Sequence, residues 1–281
     1  MRTVGILYRP HLEAAATLAR QLAEALEARG DRVWLTPAWQ EGDGLQTQLD
    51  STDVLVGLGG DGTILLAARA TLARAIPILG VNFGRLGFLA ELPPHEALAR
   101  IPALLDGQGH IEDRAMLQAR LHRFGEAQHE PPDEEPEHHA LNDVVVGRYA
   151  PGRPIYIEVA IDGQFFNTYR CDGIIVSSAT GSTGYNLSVG GPILHPQAQD
   201  LVLIPVAPHL NLRNALVLQP DTMVELRVRT DHQAVLAVDG QLNLPLSEGD
   251  RVEVRRSPYV TRFLRTGERS RFYETLVERL R

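Results

Sequence analysis

The chain has 281 residues, a formal net charge of −8, 44% hydrophobic residues and 22% charged residues. This length favours two domains with a core in each, and the acidic balance argues against a general affinity for nucleic acid or anionic membranes. The single cysteine, Cys171, excludes an internal disulfide and is typical of a reducing compartment. Because no apolar run reaches spanning length and the start lacks a signal-peptide pattern, we expect a cytoplasmic protein.

Strands and helices alternate along the first part of the chain. Short apolar runs predict strands at 3–8, 32–36, 54–58 and 78–82, and helical spacing predicts helices at 12–28, 64–74 and 93–105. Gly30 follows the first helix, as a C-cap glycine does. This alternation predicts a doubly wound, Rossmann-like α/β domain with a parallel sheet over residues 1–112.

The pattern changes to strict alternation at about residue 113. The segment "IYIEVAIDGQFFNTYR" alternates on both sides of Asp162-Gly163, which predicts a hairpin with a primed turn. Further alternating runs with closely spaced turn residues continue to residue 256. We therefore expect an all-β, sandwich-like domain over residues 113–256 and a tail over residues 257–281 with an amphipathic end.

An acidic segment, "GEAQHEPPDEEPEHH" at 125–139, interrupts the β-rich part. Its histidines and acids have the side chains of metal ligands, but they show no recognisable ligand spacing. The segment has few apolar residues and contains prolines, so we interpret it as an exposed or disordered loop.

The glycine-rich turn "GLGGDGT" at 57–63 carries the first functional signal. It satisfies G-x-G-x-x-G between a strand and a helix, as a dinucleotide fingerprint does. Two predicted strands precede it, however, and the next strand ends in Asn82 rather than in the acid that would hold a ribose. A nest of backbone N–H groups at a helix start binds phosphate. An acid there, Asp61, suits a partner hydroxyl that loses its proton in phosphoryl transfer, or a magnesium ion on the phosphates.

Several segments in chain order resemble the NAD kinase family. "GGDGT" is similar to a loop that this family shares with diacylglycerol kinases and sphingosine kinases. Phosphofructokinases have a variant form of the same loop. "GVNFGRLGFLAEL", "ALNDVVV", "CDGIIVSSATGSTGYNLSVGGPI", "PVAPHLNLRNALVL" and "AVDGQ" resemble later motifs of NAD kinases. Because the similarity runs from residue 1 to about 266, the chain is identified as a member of that family.

The resemblance implies ATP-dependent phosphorylation of the 2′-hydroxyl on the adenosine ribose of NAD, giving NADP. Asp61 matches the catalytic aspartate and would accept the hydroxyl proton. The ATP phosphates would be bound by Gly59, Gly60, Gly62 and Thr63. Mg²⁺ or another divalent metal would offset the phosphate charge, with no protein metal ligand assigned.

The same resemblance implies a set of NAD-binding residues. They are Asp61, Gly62, Asn142, Asp143, Arg153, Arg170, Asp172, Thr183, Gly184, Tyr185, Asn186, Leu187, Ser188 and Gln241. Two of them depart from the family pattern. Asp143 stands where the family usually has Glu, one methylene longer, and Gly184 stands where it typically has Ala.

The resemblance also implies an α/β ATP-binding domain at 1–112, a β-rich NAD-binding domain at 113–256 and a tail returning to the first domain. A homodimer or homotetramer is expected, with NAD and ATP as the small-molecule partners. Two alternatives stay open. A lipid kinase would share the "GGDGT" loop but lack "TGSTGY", and a non-catalytic NAD(H)-binding regulator would bind dinucleotide without ATP-dependent turnover.

Overall fold

The computed structural model describes residues 1–39, 44–84, 87–125, 136–150, 152–209, 212–230, 232–266 and 271–280. The chain divides into two compact units. The first unit comprises Met1–Asp113 and Tyr259–Arg281, and the second comprises Arg114–Pro258. The first unit is therefore built from both ends of the chain.

The first unit alternates strands and helices. Its elements before the boundary are β1 (Thr3–Tyr8), α1 (Glu13–Glu27), β2 (Arg32–Pro37), α2 (Gly44–Leu49), β3 (Val54–Gly59), α3 (Asp61–Ala70), β4 (Ile78–Asn82) and α4 (Pro94–Ala103). The chain then makes a single π-helical turn at Leu104–Gln108.

A parallel sheet forms the centre of the first unit. Its strand order is β2-β1-β3-β4. All residues of β3 and β4 are buried, as expected for strands covered on both faces. Helix α1 packs on this sheet through one stripe with helical spacing, consisting of Ala15, Leu18, Ala19, Leu22, Ala23 and Leu26.

The second unit consists mainly of antiparallel strands, of which the first and the last extend into the first unit. They are β5 (His110–His122), β6 (Glu137–Ala140), β7 (Asp143–Arg148), β8 (Ile155–Ile161), β9 (Gln164–Cys171), β10 (Gly173–Ser177), β11 (Leu201–Val206), β12 (Leu216–Leu218), β13 (Val224–Val228), β14 (Ala234–Val238), β15 (Leu242–Leu246) and β16 (Arg251–Arg265). A 3₁₀ turn at Gly181–Thr183 and a short helix, α5 (Tyr185–Ser188), follow β10.

Two sheets pack face to face in the second unit around one apolar core. One has the order β12-β11-β10-β7-β14-β15, and the other contains β9, β8, β13 and the first part of β16. The hairpin β8–β9 turns at Asp162 (φ 51°) and Gly163 (φ 76°). Two successive positive φ angles are those of the predicted primed turn.

Strand β16 passes from the second unit into the first. Its early part pairs with β13 at Val224↔Val254, and near its end Phe263 pairs in parallel with Ile78 of β4. Helix α6 (Arg271–Leu280) follows. The predicted fold class is confirmed: an α/β unit, a sandwich-like β unit and a tail that returns to the first unit.

The structure corrects several local predictions. Helix α3 begins at Asp61 rather than at Ile64, so the acid lies in its first turn. Helix α2 was not expected. The segment 125–139 ends in a strand, because Glu137–Ala140 pairs with β5; residues 126–135 of that segment lie outside the described residues. Outside these elements, Trp39 has 49% of its surface exposed.

Within the described ranges, no helix is both long enough and apolar enough to cross a membrane.

Candidate active site

The glycine turn between β3 and α3 combines glycines required by packing with glycines that are not. A Cβ atom at Gly59 would lie 2.2 Å from Oγ1 of Thr63, so the fold itself demands glycine there. A Cβ atom at Gly60 would meet no atom within 4 Å, and one at Gly62 would meet only Trp39, at 3.9 Å. Neither has a positive φ angle. Glycine at these two positions therefore leaves room for an approaching group rather than for the chain itself.

Thr63 lies beneath the turn instead of facing outward. Its side chain is buried, and its hydroxyl makes no hydrogen bond within the described residues. The hydroxyl points into the space that a Cβ atom of residue 59 would occupy. The geometry gives Thr63 a packing role and offers no direct support for its predicted contact with phosphate.

The carboxylate of Asp61 is held by the backbone of a second loop. Its Oδ2 accepts the N–H of Phe88 at 3.1 Å, and its Oδ1 accepts the N–H of Leu89 at 3.3 Å. A Cβ atom at Gly87 would lie 2.0 Å from Oδ1, so this loop runs directly over the carboxylate. A half-buried acid at the start of a helix is also favoured by the helix dipole. Asp61 is thus fixed in orientation while one side of its turn stays open.

A cleft of about 450 Å³ adjoins the glycine turn and is lined by Arg9, Pro10, His11, Leu12 and Trp39. A Cβ atom at Gly59 would lie 3.4 Å from Cβ of Arg9. His11 and Trp39 have φ angles of 62° and 64°, a strained conformation that is frequent at ligand sites. The cleft offers a cation and exposed rings beside the open positions of the turn.

In the second unit, Asp239 organises the segment that contains Asn142 and Asp143. Its carboxylate accepts the backbone N–H groups of Leu141, Asn142 and Asp143 at 2.8, 2.7 and 3.2 Å. Asp239 is the first residue of a hairpin turn, with φ 51°, followed by Gly240 with φ 63°. Sequence reasoning missed this residue as part of the site, although the "DG" pair signalled its turn.

Asp143 carries a buried carboxyl whose pKa lies well above the ordinary value. Burial, and to a lesser extent the charge of Asp239, together raise the pKa of this carboxyl from 3.8 to about 7. Only 8% of the residue is exposed. Asp143 therefore exchanges between a hydrogen-bond donor and an acceptor in the physiological pH range.

The small-residue loop after β10 packs tightly on Asn142. Ser178 donates its N–H to the Asn142 carbonyl at 2.9 Å and its hydroxyl to the Leu141 carbonyl at 2.5 Å. A Cβ atom at Gly181 would lie 2.0 Å from the same Asn142 carbonyl. The structure thus brings the predicted residue Asn142 into contact with the loop that leads to Thr183.

The residues from 183 to 188 differ in accessibility. Tyr185 and Ser188 are exposed, and Thr183, Gly184 and Leu187 are half-buried. Asn186 is fully buried, and its side-chain amide donates to the carbonyls of Ser182 and Pro192, each at 2.9 Å. Asn186 is therefore engaged in holding the loop, which leaves Tyr185 as its most accessible large side chain.

The remaining predicted residues also belong to the second unit. Asp172 forms an ion pair with Arg148 at 3.0 Å. Arg153 and Arg170 are exposed, and Gln241 follows the hairpin turn, where its N–H donates to the Val238 carbonyl.

Cys171 is buried, and burial raises the pKa of its thiol to about 12, so it stays protonated.

A divalent cation would depend mainly on the substrate for its ligands. No cluster of three or more His, Cys, Asp or Glu side chains occurs in the part of the chain that the structure describes. A single carboxylate, Asp61, beside an open turn would fit Mg²⁺ that came with a nucleotide and took most of its ligands from phosphate and water.

Comparison with known proteins identifies the family. Residues 40–109 match the ATP-NAD kinase N-terminal domain, and residues 141–266 match the ATP-NAD kinase C-terminal domain. The chain belongs to the ATP-NAD kinase family. Among curated members, the NAD kinase of Chloroflexus aggregans is 41% identical over 281 residues, covering 100% of this chain and 99% of its own. A Dehalococcoides mccartyi NAD kinase is 40% identical over 280 residues, covering 100% and 96%.

Two solved structures share the fold. An NAD kinase from Archaeoglobus fulgidus, solved in complex with ATP, superposes with a TM-score of 0.78 at 26% identity and covers 98% of both chains. A yeast NADH kinase complexed with NADH gives a TM-score of 0.81 at 23% identity, covering 100% of this chain and 87% of its own. The second likeness concerns the fold alone.

Proposed function

We propose that this protein transfers the γ-phosphoryl group of ATP to the 2′-hydroxyl on the adenosine ribose of NAD, producing NADP and ADP. The observation that carries this proposal is Asp61, an oriented carboxylate at the start of α3 beside two glycines open to a ligand. Relatives about 40% identical over the whole chain are NAD kinases, which supports the choice of acceptor.

In the proposed step, the ribose oxygen forms a bond to the γ-phosphorus as the bond from that phosphorus to the ADP oxygen breaks. The hydroxyl proton passes to the carboxylate of Asp61. The N–H groups of the glycine turn bind the phosphates, and Mg²⁺ on those phosphates would supply positive charge that offsets theirs. Because the proton leaves late in a loose transition state, orientation of the carboxylate matters more than its basicity.

We assign the donor's nucleoside to the cleft lined by Arg9, His11 and Trp39. A guanidinium suits phosphate oxygens, and an exposed indole provides a stacking surface for a base. The cleft adjoins Gly59 and Gly62, where the phosphates are proposed to lie. The first unit therefore has the role of an ATP-binding domain in this proposal.

NAD binding is assigned to the second unit. Asn142 and Asp143 are presented by Asp239, and Tyr185 and Ser188 are accessible on the adjoining loop. Thr183, Gly184 and Leu187 contribute to the same surface, and Asp172, Arg153, Arg170 and Gln241 are assigned outer polar contacts. A homodimer or homotetramer and a cytoplasmic location complete the proposal.

The experiment is a coupled assay with NAD, ATP and Mg²⁺ that reads NADP through an NADP-specific dehydrogenase. Asp61→Asn preserves the shape of the side chain but removes the base, so turnover should fall by about 10²- to 10⁴-fold while NAD still binds. Asp106→Asn, which alters an exposed acid paired with Arg29 in the same unit, is the control and should retain activity. NAD binding without any ATP-dependent turnover by the unaltered protein would favour the regulator instead. Near-normal turnover by Asp61→Asn would show that another group is the base.

A further inference from the structure

Arg265, the last residue of β16, is a buried cation with several partners in the first unit. Its Nε donates to Oε1 of Glu112 at 3.1 Å, and its Nη1 donates to the carbonyl oxygen of Leu89 at 2.8 Å. The guanidinium also lies 4.4 Å from the centre of the Phe263 ring. A buried guanidinium is tolerated here because its charge is paired with Glu112 and its N–H groups donate hydrogen bonds.

Leu89 connects Arg265 to Asp61. The N–H of Leu89 donates to Oδ1 of Asp61 at 3.3 Å, while its carbonyl accepts from Arg265. The two peptide groups that flank the Leu89 Cα atom are therefore held from opposite ends. Without the anchor on the carbonyl, the Leu89 Cα atom would be free to shift, and the N–H that holds the carboxylate would shift with it.

A second tether joins the end of β16 to the same loop. Oε1 of Glu91 accepts the N–H of Thr266 at 2.9 Å and the Thr266 hydroxyl at 2.7 Å. On the other side, the carbonyl of Gly80 in β4 accepts the N–H groups of Glu91 and Leu92 at 3.0 and 3.1 Å. The loop over Asp61 is thus clamped between β4 and the returning strand.

We propose that Arg265 is a positioning residue for phosphoryl transfer, which fixes the Gly87–Leu89 backbone so that the Asp61 carboxylate faces its substrate. This inference rests on the proposed role of Asp61 as the base. Arginine suits the position because its rigid fork reaches a carboxylate and a carbonyl together, whereas lysine presents a single point of charge. The end of β16 therefore has two roles: it packs on the first unit, and through Arg265 it positions the carboxylate of Asp61 for phosphoryl transfer.

The test compares Arg265→Gln and Arg262→Gln in the unaltered protein and in Asp61→Asn. Arg262 lies on the same strand, three residues earlier, and makes an exposed ion pair with Asp113 at 3.5 Å. We expect Arg265→Gln to lower kcat by about 10- to 100-fold, since a misplacement of about 1 Å costs up to about 100-fold. The KM values for NAD and ATP should stay within about twofold, and Arg262→Gln should change nothing.

The Asp61→Asn background separates positioning from general damage. If Arg265 acts through the carboxylate, Arg265→Gln should lower the residual kcat of Asp61→Asn by less than about twofold, because coupled residues are not additive. If Arg265→Gln lowered kcat by the same factor in both backgrounds, or in neither, the inference would be overturned. The folded fraction of each variant is measured by tryptophan fluorescence and corrects each kcat.

Glu112→Gln keeps the test decisive if Arg265→Gln does not fold. It leaves Arg265 in place, retains an acceptor oxygen and weakens one anchor of the guanidinium. A loss of kcat of about three- to tenfold, on the same positioning argument, that disappears in Asp61→Asn would support the inference. An unchanged kcat would overturn it. Absence of NADP formation by the unaltered protein, or full activity of Asp61→Asn, would instead count against the proposed function.

Discussion

At the scale of single residues, adjacent glycines in one turn have different reasons to be glycine. Gly59 faces Thr63 at a distance that no Cβ atom tolerates, whereas Gly60 faces open space. Gly59→Ala should therefore lower the free energy of unfolding by about 1–3 kcal/mol, as overpacking does. Gly60→Ala should leave it nearly unchanged but raise the KM for ATP, because the new methyl group occupies space proposed for phosphate.

Urea unfolding of both variants, followed by kinetics with varied ATP, checks this pair of expectations. Each variant should change a different quantity. Gly59→Ala should mainly lower the free energy of unfolding, and Gly60→Ala should mainly raise the KM for ATP. A Gly60→Ala protein with an unaltered KM for ATP would contradict the assignment of phosphate to this turn.

The raised pKa of Asp143 should make the free energy of unfolding depend on pH. Its carboxyl has a pKa of about 7 in the folded protein against 3.8 for the ordinary group, so the folded state binds more protons between these values. The free energy of unfolding should therefore fall as pH rises from about 4 to about 7, by about 1.4 kcal/mol per pH unit from this group. Above that window its contribution becomes constant.

Asp143→Asn should remove this slope, because an amide of the same shape stays neutral. Its stability relative to the unaltered protein should increase between pH 5 and pH 8 in urea titrations. Asp221→Asn, at an exposed position, serves as the matched control. Parallel stability curves for Asp143→Asn and the unaltered protein would show that Asp143 is ionised throughout.

At the scale of elements, the sequence predicts best where the signal is local. Thr3–Tyr8 and Ile78–Asn82 form strands with the predicted bounds, since each is a short apolar run between polar or turn residues. Helix α2 was missed because Gly44–Leu49 is short and weakly apolar. The start of α3 was misplaced because Asp61-Gly62 resembles a loop, although an acid is favourable in the first turn.

The contacts that shape the candidate site could not be predicted from local patterns. Asp239 bonds to a segment 96 to 98 residues earlier, and Arg265 bonds to a carbonyl 176 residues earlier. Neither residue differs locally from an ordinary turn aspartate or a strand arginine. Sequence motifs therefore suffice to propose Asp61 and Asn142 for the site, but they do not indicate the residues that hold these two in place.

The hairpin turn of β14 and β15 has a testable role in presenting Asn142. Asp239→Asn preserves the size of the side chain but replaces one acceptor oxygen with a donor that faces backbone N–H groups. We expect a loss of about 1–3 kcal/mol in the free energy of unfolding, as for a buried donor left unsatisfied, and weaker NAD binding. Calorimetric titration with NAD measures the second effect. Unchanged NAD affinity would mean that Asn142 and Asp143 are held without Asp239.

At the scale of the whole molecule, the first unit depends on the chain's two ends. Phe263 is fully buried and pairs with β4, Leu264 is almost fully buried, and Arg265 and Thr266 bond to the loop over Asp61. Helix α6, in contrast, has Tyr273 and Val277 more than half exposed. The strand end and the helix should therefore contribute very differently to stability.

Two truncations test this difference. A chain ending at Thr266 lacks α6 and should unfold with nearly unchanged free energy. A chain ending at Pro258 also lacks Phe263 and Leu264, whose loss costs about 2–5 kcal/mol each. Because domains are stable by only about 5–15 kcal/mol, the first unit should then be largely unfolded. The β-rich unit, Arg114–Pro258, keeps all of its residues.

The two tryptophans make the measurement selective, because Trp34 and Trp39 both belong to the first unit. Tryptophan emission of the shorter chain should resemble that of unfolded protein, since the packing of Trp34 against Gly5 and its bond to Thr52 are lost. Far-ultraviolet circular dichroism should still show the β signal of the second unit. Native tryptophan emission from the chain ending at Pro258 would contradict the structural role given to the strand end. With that strand removed, the loop over Asp61 loses its Arg265 and Thr266 tethers, so NADP formation should disappear in the same sample.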